Sequence, residues 1–290
     1  MPELPEVETV RRQIEPEVRG KSIEALSVLD KRWTRPVGAA EVERAVSGRR
    51  VLEVSRRGKY LLLELDDGSA LVMHLRMTGN LQLHRPSDPE ARFLRAVIRL
   101  EDGLELWFTD TRRFGHAAVL GAGEIEPYFA ERLGVEPLSG ELTPELLAEL
   151  AAGRTAPLKS FLLTQTRIAG IGNIYADEAL WRAELHPLSP AGSLKPEHCE
   201  ALVRGVIDSL ELGLSKQGSS IDDYRDARGE RGSMQDEFLV HTREGEACHR
   251  CGEVIRRIVI GGRSSHFCPA CQKRLRRRPR RRPRSPAASG

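Results

Sequence analysis

The chain of 290 residues reads as an α+β multidomain protein, with an opening helix and an antiparallel sandwich or barrel, a helical middle, and a cysteine-held β-ribbon. Three observations predict this order. Apolar residues recur at helical spacing at the start and in the middle of the chain. Short β-rich runs fill the stretch from about 22 to 120, and four of the five cysteines form two C-x2-C pairs near the end. The length, about twice that of a common domain, also favours more than one core.

After Pro5, the residues Val7, Val10, Ile14 and Val18 recur at steps of three and four, with Glu6 and Glu8 in the first turn, where a helix dipole favours acids. The next stretch contains YLLLEL, SALVMHLRM, RAVIRL and LELWF, separated by Asp-Asp-Gly at 66–68 and Glu-Asp-Gly at 101–103, which are turn signals. In the middle, Thr143 suits a helix cap with Pro144 at the first position, and Gly153 stops that helix. A longer helix is predicted from Lys195 to Lys216, burying Leu202, Val203, Val206, Ile207 and Leu210, with Cys199 as a small core residue. Between them, IAGIGNIYADEAL places Gly170 and Gly172 in a tight turn, with a helix resuming at Ala176. From Gly218 a polar, Gly-rich stretch is too long for an ordinary connection and is expected to be a functional loop.

Composition narrows the class. Charged residues are 30%, mean hydropathy is −0.39, and no uncharged apolar run approaches the ~20 residues of a membrane span, so no membrane partner is expected. The N-terminus lacks a signal-peptide pattern, which points to a reducing cytoplasm without disulfides. Residues 274–290 hold eight arginines and no acid, leaving the rest of the chain with 37 basic against 42 acidic residues. A nucleic-acid surface on that body must therefore be a local patch, while the tail is expected to be disordered and to attract polyanions.

Cys248, Cys251, Cys268 and Cys271 are spaced C-x2-C-x16-C-x2-C, which suits two knuckles holding one tetrahedral Zn²⁺. Between the knuckles, EVIRRIVIGGRSSHF alternates as a hairpin with Gly261 and Gly262 at its tip. Four sulfur ligands leave the metal no place for a catalytic water, so its role is to fold the ribbon and present Arg263. His249 and His266 are neighbours of the site, not required ligands.

MPELPE, RRGKYLLLEL, HLRMTG, TDTRRFG, GIGNIYADE and the four-cysteine finger occur in the order found in formamidopyrimidine-DNA glycosylases, and residues 1–273 resemble a bacterial, zinc-finger member of that family. The resemblance implies an N-terminal catalytic β-sandwich (1–133), a helix-two-turn-helix DNA-binding domain with a lesion loop (134–235) and a zinc finger (239–273), ahead of the basic tail (274–290). It also implies one structural zinc, a monomer, and a bifunctional glycosylase and lyase acting on double-stranded DNA that carries oxidised purines or abasic sites.

Under that resemblance, removal of Met1 makes Pro2 the N-terminus, a secondary amine whose attack on sugar C1′ expels the base and leaves an iminium ion that acidifies the C2′ proton. Glu3 resembles the family's acid/base residue and Glu6 a supporting carboxylate, while Lys59 matches a catalytic lysine near the damaged nucleotide's phosphate. Arg113, Arg154 and Arg263 match phosphate-contacting positions, and Arg263 also resembles the finger residue that aids the final elimination. Arg95 stands where family members often have His. Asn173 and Tyr175, in the glycine turn, offer a side-chain amide and backbone N–H groups to a phosphate. Met77, Arg112 and Phe114 match the wedge that fills the gap left by the extruded base, with Thr111 replacing a frequent proline.

Two rivals share the scaffold. An endonuclease VIII-like enzyme for oxidised pyrimidines is disfavoured by Leu4 and the intact TRRF wedge. A catalytically silent DNA-binding relative is disfavoured by the presence of Pro2, Glu3 and Lys59 together. A purely structural zinc-ribbon protein leaves the N-terminal motifs unexplained.

Overall fold

The structure is a computed structural model that describes residues 2–221 and 223–276. The chain opens with α1 (Leu4–Val18) and β1 (Ile23–Val28), then α2 (Ala39–Val46) and seven strands: β2 (Val51–Arg57), β3 (Tyr60–Leu65), β4 (Ala70–His74), β5 (Gly79–His84), β6 (Leu94–Leu100), β7 (Glu105–Asp110) and β8 (His116–Leu120). Five helices follow, α3 (Ile125–Ala130), α4 (Pro144–Ala151), α5 (Leu158–Leu162), α6 (Asn173–Arg182) and α7 (Pro196–Ser215), and the chain closes with β9 (Arg256–Ile260) and β10 (Arg263–Phe267).

The eight N-terminal strands form two separate four-stranded antiparallel sheets, ordered β1-β6-β7-β5 and β2-β3-β4-β8, so the arrangement is a sandwich and not a barrel. Alternation explains the inner faces: Val54, Leu61, Leu63, Leu71 and Met73 of one sheet share a buried cluster with Leu26, Leu81, Ile98, Leu106 and Phe108 of the other. The β3 and β4 runs look continuous because their outer faces are buried too, with Leu62, Ala70 and Val72 packed with Phe129 of α3. Both predicted turns are tight hairpins closed by glycines with positive φ, Gly68 at +80° and Gly103 at +79°. Helix α2 was not foreseen from the sequence. It is only eight residues long and buries just Val42 and Val46, too little for a periodic signal.

In the middle of the chain, the Thr143 hydroxyl accepts the Leu146 N–H at 3.2 Å, and α7 spans Pro196–Ser215 with Lys195 and Lys216 as its caps. Leu202, Val203, Val206 and Leu210 are buried as predicted, with Cys199 among them, while Ile207 is only partly buried. Helix α6 begins at Asn173, three residues before the expected start at Ala176, because Gly172 in extended conformation is its N-cap. Gly170 has φ +82°.

Helix α1 serves two cores. Val7, Val10, Ile14 and Val18 enter the sandwich core, whereas Leu4 is buried in the helical core with Ile171, Tyr175 and Leu210. The expectation that the tail becomes disordered at 274 is corrected at its start, since Leu275 packs on the helical core and its N–H donates to Ser189 Oγ at 3.0 Å. The remaining tail, 277–290, lies outside the described residues. Among the described residues, no helix is long and apolar enough to cross a membrane.

Candidate active site

The N-terminus of α1 lies directly against the turn that starts α6. Leu4 N–H donates to the Gly170 carbonyl at 3.0 Å, and the Glu3 carboxylate accepts the N–H groups of Gly172 at 2.7 Å and Ile174 at 2.9 Å. Two glycines make this approach possible. A Cβ at Gly170 would stand 2.5 Å from Leu4 Cδ1, and one at Gly172 only 2.3 Å from Glu3 Cδ. Glu3 thus sits at the positive end of α6, whose first amides have no helical partners of their own.

Glu6 forms a second layer beneath Glu3. Its Oε2 accepts the Glu3 N–H at 2.7 Å, and its Oε1 accepts the Tyr175 hydroxyl and the Ser219 N–H, both at 2.8 Å. Burial, reinforced by the charge of Glu3, raises the Glu6 carboxyl above the usual carboxylate range. The Tyr175 side chain is 1% exposed with its hydroxyl committed to Glu6, so it supports the carboxylate from within the helical core. Glu8, read from sequence as a dipole partner, instead forms ion pairs with Arg11, Arg12 and Arg56.

Pro2 is buried immediately before Glu3. Lys59 follows Gly58 in the two-residue loop joining β2 and β3 and is 6% exposed. Burial lowers its pKa, the carboxylates of Glu3 and Glu6 oppose that shift, and Arg263 adds to it. Its ammonium makes no hydrogen bond to the described residues, so it is available to an incoming anion.

A cavity of about 420 Å³ opens above this floor. Glu3, Asn173 and Ile174 line one side, Ser219, Ile221 and Tyr224 of the long loop a second, and Arg263 with Ser264 and His241 a third. Two buried atoms of the lining residues, Asn173 Oδ1 and Ser219 Oγ, have no hydrogen-bond partner among the described residues, as expected of a wall built to receive a polar ligand. Met77, from the loop between β4 and β5, stands on the rim and is 38% exposed.

The other two wedge candidates lie between β7 and β8. Phe114 is 53% exposed, with the Arg112 guanidinium 4.8 Å from its ring centroid. Asp110 draws their loop to that of Met77. It accepts the N–H groups of Arg112 at 3.1 Å and Gly115 at 2.7 Å, and the Thr78 hydroxyl as well. Arg113 and Arg95 converge on Asp30. Arg113 Nε donates to its Oδ2 at 2.5 Å, while Arg95 Nε lies 3.9 Å from that oxygen and donates to the Asp110 carbonyl at 2.9 Å. Arg154 is exposed after α4, outside the cavity wall.

The four predicted zinc ligands converge: all four sulfurs lie within 4.8 Å of one another, with Cys248 to Cys271 at 3.9 Å and Cys251 to Cys268 at 3.4 Å. A tetrahedron with Zn–S bonds of about 2.3 Å has edges of about 3.8 Å, so the set fits one zinc ion. Trp181 Nε1 donates to Cys248 Sγ at 3.4 Å and ties the knuckles to α6. Gly261 and Gly262 form the ribbon tip, and Arg263 is exposed beside them.

Sequence reasoning missed Asp110, Thr78, Ser219, Tyr224 and His241. Asp110 and Thr78 lay inside motifs already singled out. The others come from the loop and linker, where polar residues carry no periodic signal.

Comparisons with known proteins agree with this layout. Residues 1–117 match the family model described as the formamidopyrimidine-DNA glycosylase N-terminal domain, residues 133–225 the H2TH domain of the same enzymes, and residues 245–274 a zinc finger found in FPG and IleRS. Over 274 residues, the chain is 44% identical to a formamidopyrimidine-DNA glycosylase of Chloroflexus aurantiacus, covering 94% of this chain and 98% of that protein. The corresponding protein of Pelotomaculum thermopropionicum is 41% identical over 274 residues, covering 94% and 99%. Among solved structures, the Lactococcus lactis Fpg in complex with abasic-site DNA superposes with a TM-score of 0.88 at 35% identity, covering 94% of this chain and 100% of that one. The wild-type Lactococcus lactis protein with DNA containing N7-benzyl-Fapy-dG gives 0.88 at 36%, with the same coverage.

Proposed function

Because the chain belongs to the formamidopyrimidine-DNA glycosylase family, DNA glycosylases of base excision repair with AP lyase activity, we propose that Pro2, Glu3, Lys59 and Arg263 carry out that chemistry on oxidised purines here. The observation that carries this reading is the floor of the cavity, where Pro2 precedes a Glu3 carboxylate fixed by two backbone N–H groups. Once Met1 is removed, the Pro2 amine attacks C1′ and the base leaves with the bond electrons. Glu3, oriented by Gly172 and Ile174, moves protons at the opening sugar and at C2′. Loss of the C2′ proton then breaks the strand by elimination.

Lys59, buried and without a hydrogen-bond partner among the described residues, holds the phosphate of the damaged nucleotide, and Asn173 offers it a second contact. Arg263 approaches from the ribbon and assists the elimination. Zinc, when bound to the four cysteines, supplies the ribbon's folding energy and holds its tip in place. Met77, Arg112 and Phe114 fill the gap in the stack, while Arg95, Arg113 and Arg154 hold flanking phosphates. Glu6 and Tyr175 support Glu3 from below. The units at 1–133, 134–235 and 239–273 act as catalytic sandwich, helical DNA-binding domain and finger, supported by the separate sandwich, helical and ribbon cores. The protein acts as a monomer on double-stranded DNA in the cytoplasm.

Sodium borohydride trapping on abasic duplex tests the reading. The parent should become covalently joined to DNA, and Pro2→Gly should not, while keeping its affinity for undamaged duplex. Unchanged trapping by that variant removes Pro2 from the nucleophile role. A parallel panel of 8-oxoguanine, formamidopyrimidine and thymine glycol duplexes tests the lesion class, and preference for thymine glycol would overturn it.

A further inference from the structure

Asp177 lies one turn into α6 after Asn173 and is 1% exposed. Its carboxylate accepts hydrogen bonds from two side chains and faces two imidazoles, all from three other segments. Lys159 of α5, fully buried, donates from Nζ to Oδ1 and also, at 2.9 Å, to the Asn173 carbonyl. Ser265 of β10 donates to the same oxygen at 2.9 Å. Oδ2 faces Nδ1 of His241 at 2.9 Å and Nδ1 of His266 at 3.5 Å. The next residue, Glu178, is equally buried and accepts the N–H groups of Leu239, Val240 and His241 at 2.9 to 3.1 Å.

These two consecutive acids hold the linker 239–241 and the strand β10 against the helix that begins at Asn173. Ser265 is two residues from Arg263, so the face of β10 that Asp177 anchors is the face on which Arg263 stands. Asn173, His241 and Arg263 all line the same cavity. Asp177, His241 and His266 also lie close enough together to suggest a second metal site. The Lys159 ammonium already neutralises that carboxylate and would repel a divalent ion.

We propose that Asp177 is a positioning residue for strand cleavage, fixing the ribbon on α6 so that Arg263 reaches the reacting sugar-phosphate. The proposal rests on the role given to Arg263 above. A buried carboxylate held by a lysine, a hydroxyl and two imidazoles has one favoured geometry, and an amide in its place removes the charge opposite Lys159 and turns one acceptor oxygen into a donor.

A double-mutant cycle on abasic duplex under single-turnover conditions tests this, reading strand nicking and zinc content together. Asp177→Asn should slow nicking by about 10-fold or more, as a misplaced active-site group does, while one zinc per chain is retained. In an Arg263→Ala background the same change should cost less than about 2-fold, because the residue it acts through is already gone. A merely structural role would lower nicking equally in both backgrounds, and that result, like parental nicking by Asp177→Asn, overturns the proposal. Arg263→Ala nicking at the parental rate would instead remove Arg263 from the reaction, and the route through it. If Asp177→Asn does not fold, Lys159→Met combined with it removes both buried charges and carries the same cycle.

Discussion

Glu3 on the cavity floor and Glu6 beneath it are each 1% exposed, and their oxygens are bonded to backbone amides and a tyrosine hydroxyl, whereas Met77 and Phe114 are 38% and 53% exposed. The floor is a set of polar groups fixed before any ligand arrives. The proposed wedge residues Met77, Arg112 and Phe114 are apolar and cationic side chains that stand largely uncovered. Proton transfer gains from a carboxylate that need not reorganise, while filling a gap in stacked bases needs surface that is still uncovered. The two regions should therefore respond differently to substitution, the floor losing chemistry and the rim losing recognition.

The largest effect is expected at the floor. Glu3→Gln should lower single-turnover excision of 8-oxoguanine by about 10²- to 10⁴-fold, the range associated with a lost acid/base group, with duplex affinity nearly unchanged. Full excision would break the comparison by moving the acid elsewhere. Next comes the ribbon, the part of the cavity wall that depends on metal. Cys248→Ser should lower zinc content and weaken duplex binding about 10-fold or more, because metal binding and ribbon folding are coupled. If zinc is lost and binding to damaged DNA is unchanged, the ribbon is not a DNA-binding element.

Phe114→Ala sharpens the contrast from the rim. It should slow excision about 10-fold, yet change unfolding free energy by less than about 1 kcal/mol, since the ring is exposed and packs mainly on Arg112. A larger loss of stability would make it a core residue.

The smallest expected effect is a trade-off at Lys59. Burial lowers its native pKa below 10.5, so between that lowered value and 10.5 the unfolded chain holds a proton that the folded protein has released. Stability should thus rise with pH across that window. Lys59→Met should flatten that rise and stabilise the protein at neutral pH by on the order of 1 kcal/mol, while impairing excision. Thermal melts at several pH values would show it, and an unchanged slope would assign the pH dependence to other groups.

Much of this was legible in the sequence because it is local. The hairpins announced themselves through Asp-Asp-Gly and Glu-Asp-Gly, α4 through Thr143-Pro144, and the metal centre through cysteine spacing. The glycines of GIGN marked a tight turn, although only the structure shows that Gly170 and Gly172 also admit Leu4 and Glu3. What stayed hidden depends on pairs far apart in the chain. Tyr175 read as a residue of the glycine turn offered to a phosphate, and only the structure shows its hydroxyl turned inward to Glu6, 169 positions away. Asp177 and His241 are 64 residues apart and belong to no repeating pattern. Helix boundaries showed the same limit, since the amides of Gly172 and Ile174 at the start of α6 are satisfied by the Glu3 carboxylate from another part of the chain.

The division of α1 between two cores has a mechanical consequence. Leu4 is plugged into the helical unit, and the rest of the same helix is embedded in the sandwich, so Pro2 sits on a strut that spans the seam between them. Any hinge opening that separates the units must either pull Leu4 from its socket or bend the helix, at a cost of about 2–5 kcal/mol if the socket is emptied. Separation of the units would therefore pull the N-terminus away from the turn that starts α6, and heat inactivation should track whichever unit melts first, even while the other remains folded.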